Sequence, residues 1–340
     1  MKSVLYDYAS RLVSITGAGG LCNGITVSNH YNPVYGRDAL ITTGLSANME
    51  TDYGYDGYGR MNEVSSGGNH VGYAYAPNSD LLQTTFSSNT SSLVLTTSRQ
   101  WDYGFRLRNI NNTANGATVT SHSYIYDNLN RRTQATLEDG SLWKYGYNNR
   151  NELTGAQRYW SDWTPVTGQQ YGYGFDNIGN RTSASSGSSG NLRATTYTGN
   201  SLNEYTGITT PGYKDILGDA IATNTVTVNS GTADRKGEYY HKEITVANGG
   251  GPVWQEVTNT GGASTMTGGL VFPAHASSLT YDADGNLTFD GVWFYSWDAG
   301  NRLIEMTMTN ISGIAPSNCL RLDFAYDYMN RRVRATSVTS

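Results

Sequence analysis

The sequence predicts an all-β fold built from strand–turn–strand repeats, and three observations lead to that prediction. Gly accounts for 40 of the 340 residues, Tyr for 26 against 7 Phe, and charged residues for only 15%. An aromatic residue followed by Asp or Asn returns many times, each time ahead of turn-forming residues. Aromatic rings alternate with small residues just before that Asp, and a period of two places side chains on one face of a strand. Aromatic residues suit a pleated, half-buried surface, and Gly and Asn supply turns.

The repeat has nine clear copies, which identify it as architecture and not as a single active site. Where copies are consecutive, they lie from 16 residues apart (Tyr281 to Trp297) to 29 residues apart (Trp297 to Tyr326). Such a period accommodates two short strands and their turns. Degenerate copies occur at Tyr75 and between Tyr31 and Arg37. The clear copies start at Tyr6, Tyr55, Trp101, Tyr126, Tyr147, Phe175, Tyr281, Trp297 and Tyr326.

Each position of the repeat has a local structural interpretation. The Asp opens a turn, because its short carboxylate can accept backbone N–H groups two residues further on. Three residues later most copies have Gly or Asn, which tolerate positive φ and fit a type I turn that ends in a left-handed residue. Phe105 breaks this rule in the Trp101 copy. The following Arg or Asn reaches back to the Asp, and the chain then resumes as a strand.

This scheme predicts paired structural turn residues and assigns none of them to catalysis. The second Arg of two copies, Arg132 and Arg332, has no role in it. The predicted turn residues are Asp7, Arg11, Asp56, Arg60, Asp102, Arg106, Asp127, Arg131, Asp176, Asn180, Asp282, Asn286, Asp298, Arg302, Asp327 and Arg331.

With this Y-D-x-x-G-R-L pattern the chain resembles the Rhs or YD-repeat family. The resemblance covers most of residues 1–205 and 281–340, and it includes the stretches YTGNSLNEYTGI (197–208) and FYSWDAGNRL (294–303). It implies a curled or spiral β-sheet shell, because members are large secreted or cell-surface proteins whose repeats wind into a hollow wall. In toxin members that wall encloses a carboxy-terminal effector. The sequence shows neither a D-P-x-G core motif nor an effector, so we expect an open fragment of shell wall.

The repeat is lost between the two regions, which predicts three segments: repeats over 1–205, a β-rich insertion over 206–280 and repeats over 281–340. The alternation of Val226 and Val228, the turn residues 229–231, and the later pair Ile244 and Val246 indicate further strands. A separate small module and an irregular extension of the same sheet both fit this pattern. The low-complexity stretch TSASSGSSGN (182–191) predicts a flexible loop.

A search for chemistry gives no reason to expect a cofactor or a metal ion. No G-x-S-x-G, H-E-x-x-H or phosphate-binding loop is present, and the five His are scattered without ligand spacing. The DADGN stretch (282–286) lacks the third acidic position before Gly and the distal Glu of a calcium loop, and it is one copy of the repeat turn. Cys22 and Cys319, the only cysteines, allow a disulfide but are more typical of two small buried thiols.

One cluster in the insertion has two interpretations. Tyr239, His241 and Glu243 would share one face of a strand. They form either a ligand-binding patch or a packed sheet face.

Three function classes follow. The first is a non-enzymatic structural wall that encloses or presents a toxin or other effector encoded elsewhere, with the remaining repeats, core region or effector of a longer parent protein as partners. The second is a cell-surface glycan-binding or adhesion module, because exposed Tyr and Trp rings stack on sugars. A hydrolase is third, since no unrepeated polar cluster is visible. A net charge of −5 without a basic cluster argues against nucleic acid, and no apolar run is long enough to span a membrane.

Overall fold

The computed structural model describes residues 3–18, 23–90, 92–314 and 318–339. These residues form β-strands and no α-helix, which confirms the predicted all-β fold. The chain divides into two compact units, Met1–Leu142 and Trp143–Ser340. Neither unit boundary coincides with the segment boundaries expected from the sequence. Cys22 lies outside the described residues.

The first unit is a long antiparallel sheet whose strands follow chain order. Its described residues form β1 (Ser3–Tyr6), β2 (Leu12–Thr16), β3 (Thr26–Asn32), β4 (Gly36–Thr43), β5 (Met49–Tyr55), β6 (Met61–Ser66), β7 (Asn69–Tyr75), β8 (Leu82–Ser88), β9 (Leu93–Trp101), β10 (Leu107–Ala114), β11 (Ala117–Tyr126) and β12 (Arg132–Leu137). Each strand pairs with the next, so every connection is a hairpin. A chain of local hairpins is what a strand–turn–strand repeat predicts.

The second unit continues with the same kind of meander. It contains β13 (Leu142–Tyr147, whose first residue belongs to the first unit), β14 (Leu153–Tyr159), β15 (Pro165–Phe175), β16 (Arg181–Ser188), β17 (Asn191–Gly199) and β18 (Tyr205–Thr209). From β14 to β18 each strand pairs antiparallel with the next. After a long excursion the chain returns as β26 (Ala276–Ser278), which pairs with β18.

The excursion lies within residues 206–280, the segment called the insertion here, and it forms two small sheets of its own. One sheet has the order β19 (Tyr213–Asp219), β23 (Tyr239–Thr245), β22 (Asp234–Lys236). The other has the order β21 (Gly231–Thr232), β20 (Val226–Val228), β24 (Val253–Gly261), β25 (Ser264–Phe272). A buried apolar cluster lies between these strands and contains Val226, Val228, Ala233, Tyr240, Ile244, Val257 and Phe272.

The repeats then resume as a six-stranded antiparallel sheet in chain order. Its strands are β27 (Thr280–Tyr281), β28 (Leu287–Phe289), β29 (Trp293–Trp297), β30 (Leu303–Met308), β31 (Leu320–Tyr326) and β32 (Arg332–Thr339). In both units the register shifts at the motif aromatic, as between Ile125 and Tyr126 or Ala325 and Tyr326. This bulge is the signature of a type I turn closed by a left-handed residue.

The low-complexity stretch 182–191 is not the flexible loop that its composition predicts. It forms most of β16 and the start of β17, joined by a tight turn. A Cβ at Gly172 would lie 2.7 Å from Ser185 Oγ, and one at Gly187 would lie 2.5 Å from the carbonyl oxygen of Asn191. The phenol of Tyr213 also donates a hydrogen bond to the Ser186 carbonyl oxygen. Small residues are therefore needed here because neighbouring chain segments come close.

Candidate functional site

The repeat turn is the most frequent polar constellation, and the Asp127 copy shows its geometry. The N–H of Asp127 donates to the carbonyl oxygen of Arg131 at 2.9 Å, and the N–H of Asn130 donates to the carbonyl oxygen of Asp127 at 3.1 Å. Asp127 Oδ1 accepts the N–H groups of Leu129 and Arg131, both at 2.9 Å. Its Oδ2 accepts Arg131 Nε at 2.7 Å. Both carboxylate oxygens are thus occupied within the turn.

The other Asp–Arg copies repeat these contacts closely. The Oδ2 to Nε distance is 2.7–2.8 Å in every copy, at Asp7–Arg11, Asp56–Arg60, Asp102–Arg106, Asp298–Arg302 and Asp327–Arg331. In two copies Asn Nδ2 takes the place of the guanidinium, with 2.9 Å at Asp176–Asn180 and 3.0 Å at Asp282–Asn286. The structure therefore gives each predicted turn residue a local partner.

These contacts lower the pKa of the turn carboxyls below the ordinary value of 3.8. In Asp298 the side-chain hydrogen bond from Arg302 and its backbone N–H lower the pKa. In Asp127 desolvation raises the pKa, but the backbone and side-chain hydrogen bonds from Arg131 outweigh it. A carboxylate that accepts several N–H groups is held ionised. The turn Asp residues are therefore unsuited to donate a proton near neutral pH.

In two further turns the opening residue carries the side-chain donor and the closing residue carries the carboxylate. At 148–152 and 200–204 an Asn opens the turn and a Glu closes it. Asn200 Oδ1 accepts the N–H groups of Leu202 and Glu204, while Asn200 Nδ2 donates to Glu204 Oε2 at 2.8 Å. The pair stays complementary after donor and acceptor change places. The sequence pattern does not detect the Asn200 copy, because Gly199 and not an aromatic residue precedes the opening Asn, although Asn203 has the expected left-handed φ of 68°.

The turn after Trp101 keeps the common geometry in spite of Phe105. The N–H of Phe105 donates to the carbonyl oxygen of Asp102 at 3.0 Å, and Phe105 has a φ of 59°. Phe105 therefore departs from the residue rule but not from the geometry of the turn. The backbone adopts the left-handed conformation there with a bulky aromatic residue, which is unusual.

Neighbouring copies are coupled through the Arg and the next motif aromatic. Arg106 lies over the ring of Tyr126, 5.1 Å from its centroid, and its Nη1 donates to Asn130 Oδ1 at 2.8 Å. The Tyr126 hydroxyl donates to the carbonyl oxygen of Leu107 at 2.8 Å, at the start of the previous copy's returning strand. The same Arg-over-ring contact occurs at Arg11–Tyr31, Arg60–Tyr75 and Arg302–Tyr326, at 4.3–5.3 Å.

The bond from the motif aromatic to a carbonyl explains why the chain is rich in Tyr and poor in Phe. The ring needs a polar end that can satisfy a backbone oxygen of the neighbouring copy, and Trp serves equally through Nε1. The distances are 2.6–3.2 Å at Tyr31–Leu12, Tyr55–Arg37, Tyr75–Met61, Trp101–Leu82, Trp297–Leu287 and Tyr326–Leu303.

The second Arg of a copy also has a contact. Arg132 lies over the ring of Tyr124 at 3.9 Å and Arg332 over that of Phe324 at 5.4 Å. Arg181 lies over Tyr173 at 5.3 Å in the same way. Each of these Arg residues comes five residues after the opening Asp of its copy, and it covers the ring that comes three residues before that Asp. The second Arg therefore packs over the aromatic that comes two residues before the motif aromatic on the same strand.

The predicted ligand patch is a packed interface and not an open surface. The Tyr239 hydroxyl donates to the carbonyl oxygen of Thr167 at 2.6 Å, and Arg193 Nη2 donates to Glu243 Oε1 at 3.1 Å. His241 is buried, and a Cβ at Gly168 would lie 2.6 Å from its Cδ2. The three side chains do share a face, but that face packs on the repeat strands of the second unit. The contacts of Tyr239, His241 and Glu243 are those of a packed sheet face.

His241 and Asp215 form a buried pair, with side chains 5% and 7% exposed and Nε2 to Oδ1 at 2.7 Å. Nδ1 lies 3.6 Å from Asp234 Oδ2, within ion-pair range but too far for a hydrogen bond. Desolvation lowers the pKa of His241, but the hydrogen bond and charge of Asp215 outweigh it, so the pKa is raised above 6.5. The pair links β19 to β23 within the insertion, and neither side chain is accessible.

The described residues contain neither a candidate metal-binding cluster nor a candidate membrane-spanning helix. No group of three or more His, Cys, Asp or Glu side chains is placed to hold a metal ion in that part of the chain. None of the described segments forms a helix long and apolar enough to cross a membrane.

Comparison with known proteins gives only distant likenesses. No family model matches the chain, and no curated protein matches it. Among solved structures, the crystal structure of TcdB2-TccC3-Cdc42 is similar over 99% of this chain at 13% identity, with a TM-score of 0.38. The crystal structure of TcdB2-TccC3 is similar over 99% at 12% identity, with a TM-score of 0.36. This chain covers 19% and 20% of those chains, about a fifth of their length.

Proposed function

We propose that this chain is a non-enzymatic structural wall segment of a repeat shell, which encloses or presents an effector encoded elsewhere. The observation that supports this role is the use of the recurring polar groups. The carboxylates of the turns are bonded within their own turn, and the Arg side chains link one copy to the next. Groups committed to the wall in this way are not available for turnover.

The proposal includes the partners and location expected from the sequence. The wall segment works together with further repeats, a core region or an effector of a longer parent protein, in a secreted or cell-surface assembly. Its contribution is mechanical: a sheet of linked hairpins that keeps its register because each copy is bonded to its neighbour.

Protease protection of the native assembly tests this role. The assembly is captured from the source cells with an antibody against this chain, digested, and analysed by mass spectrometry. We expect a polypeptide other than the wall to survive digestion. If only wall peptides survive while every associated polypeptide is cleaved, enclosure is wrong.

A matched pair of variants shows whether protection depends on the turns. Asp127→Ala combined with Asp298→Ala removes two turn acceptors and is expected to expose the protected polypeptide. Glu138→Ala changes an exposed carboxylate that lies outside the motif and has no hydrogen bond or ion pair with any described residue, so it should leave protection unchanged. Turnover of glycoside, ester or peptide substrates by the purified wild-type chain would contradict the non-enzymatic role.

A further inference from the structure

We infer that an open groove in the first unit binds an acidic oligosaccharide. The groove lies between the turn at 76–81 and the turn at 102–105, with a volume of about 760 Å³. That volume is in the range of small-molecule sites. Its walls include Pro77, Leu81, Gln100, Tyr103, Phe105 and Arg108.

The groove exists because the coupling between neighbouring turns is interrupted there. Elsewhere on this edge an Arg crosses to the next turn, as Arg60 does to the Ser79 carbonyl oxygen and Arg106 to Asn130. The turn at 76–81 is one residue longer, with the Ala76 N–H bonded to Leu81. It has Ala in place of the opening Asp and no Arg to close it. The space that the guanidinium fills in other copies is left open.

Phe105 is an outlier at the mouth of this groove. The left-handed position of the clear copies holds Gly, Asn or Ser, but here it holds a Phe that is 68% exposed. A bulky residue at positive φ strains the backbone and persists where something else requires it. Trp163, which also has positive φ, is explained by packing on Tyr159 and under Lys144. Among the described residues Phe105 has no such ring or cation contact, so its own packing does not explain it.

The remaining side chains of the groove supply the polar contacts of a ligand site. Tyr103 is fully exposed beside Phe105, which gives two open aromatic faces. The side chains of Arg108 and Gln100 are exposed, and neither has a hydrogen bond or ion pair with any described residue. Asp102 is already paired with Arg106, which leaves the charge of Arg108 unmatched.

This combination fits a saccharide that carries a carboxylate. The C–H faces of a pyranose ring stack on open aromatic rings, the guanidinium binds a carboxylate in a bidentate manner, and the amide binds hydroxyl groups. The formal charge of −5 disfavours long polyanions such as nucleic acid, whereas a short ligand experiences the local charge of Arg108.

Calorimetric titration of the full chain with trigalacturonate tests the inference, with its methyl-esterified form as the neutral comparison. We expect Arg108→Gln and methyl esterification each to weaken binding by about tenfold or more, because one charge-assisted contact is worth that much. We expect Phe105→Asn to weaken binding by a similar factor, because it removes one of the two open aromatic faces. Phe105→Asn should not lower the unfolding midpoint, because Asn tolerates positive φ. That result separates loss of binding from loss of fold.

Tyr8→Ala is the matched control, because Tyr8 occupies the same turn position as Tyr103 in another copy and is equally exposed. It should bind trigalacturonate like the wild type. The inference is overturned by absence of binding at millimolar trigalacturonate, or by full affinity in Phe105→Asn. Equal affinity for an oligoglutamate would show a response to charge alone and would overturn the saccharide assignment.

Discussion

The insertion and the repeat sheets are stabilised in different ways. The buried apolar cluster lies entirely in the insertion, between Val226 and Phe272. In the described part of the first unit, Ala39 and Leu142 are the only hydrophobic side chains that are buried. The repeats rely instead on hydrogen-bonded turns, ring-to-carbonyl bonds and Arg-over-ring contacts.

The difference shows that a repeat can stabilise a sheet without a thick core. Each copy adds a few contacts worth about 1 kcal/mol or less, but they recur along the chain. The insertion has no recurrence and needs apolar burial, at about 25 cal/mol for each Å² removed from water. A single mutation should therefore lower the stability of the insertion by a large amount and that of the repeat sheets by a small amount, at whichever copy it is made.

The largest effect is expected for Phe272→Ala. Phe272 is 0% exposed, so its truncation should destabilise the insertion by about 3 to 5 kcal/mol. Hydrogen exchange measured by mass spectrometry should show faster exchange in β20 and β23–β25, with the strands of the first unit unchanged. Phe294→Ala, at a position 51% exposed, is the control and should cost about 1 kcal/mol. Equal losses of protection in both units would contradict separate stabilisation.

The repeat turns could be predicted from the sequence because their partners are close in the chain. Asp127 bonds to groups two and four residues away, so composition and spacing were sufficient. The packing of the insertion could not be predicted, because Tyr213 reaches a residue 27 positions away and Tyr239 one 72 positions away. The same long-range contact explains why the serine-rich stretch was mistaken for a flexible loop.

The response to pH should separate the two regions. His241 has a raised pKa, so its pairing with Asp215 contributes stability that is fully present below about pH 6.5 and is lost as pH rises through the folded-state pKa. The turn Asp residues have lowered pKa values, so their contribution is present above about pH 3.8 and is lost as pH falls through the folded-state values. The insertion should weaken on the alkaline side and the repeats on the acidic side.

Denaturation followed by exchange at pH 3, 6 and 9 checks this response. Asp215→Asn should destabilise the insertion at pH 6 by about 3 kcal/mol, because it leaves a buried cation without its partner. It should also flatten the pH dependence of the insertion between pH 6 and 9. Glu138→Ala, at an exposed carboxylate without a hydrogen bond or ion pair to any described residue, serves as the control. A decline of the insertion on acidification alone would exclude this role of His241.

A smaller effect is expected when one copy loses its bond to the neighbouring carbonyl. Tyr126→Phe removes the hydroxyl that donates to Leu107 and leaves that oxygen unpaired, at a cost of about 1 kcal/mol. Tyr8→Phe changes a fully exposed hydroxyl and should be neutral. Guanidinium chloride unfolding measures both. A neutral Tyr126→Phe would mean that the excess of Tyr over Phe has another cause.

The smallest effect is expected for the second Arg of a copy. Arg132→Ala removes the cation 3.9 Å from the centre of the Tyr124 ring, a contact worth about 0.5 to 1 kcal/mol at an exposed site. Exchange of the β11–β12 amides should rise modestly. Arg334→Ala is the control, because Arg334 is exposed and has no such contact with the described residues. If both variants behave alike, the contact of Arg132 with the Tyr124 ring adds nothing to stability. If Arg132→Ala costs as much as Tyr126→Phe, the second Arg stabilises the repeat as much as the hydrogen bond of the motif Tyr does.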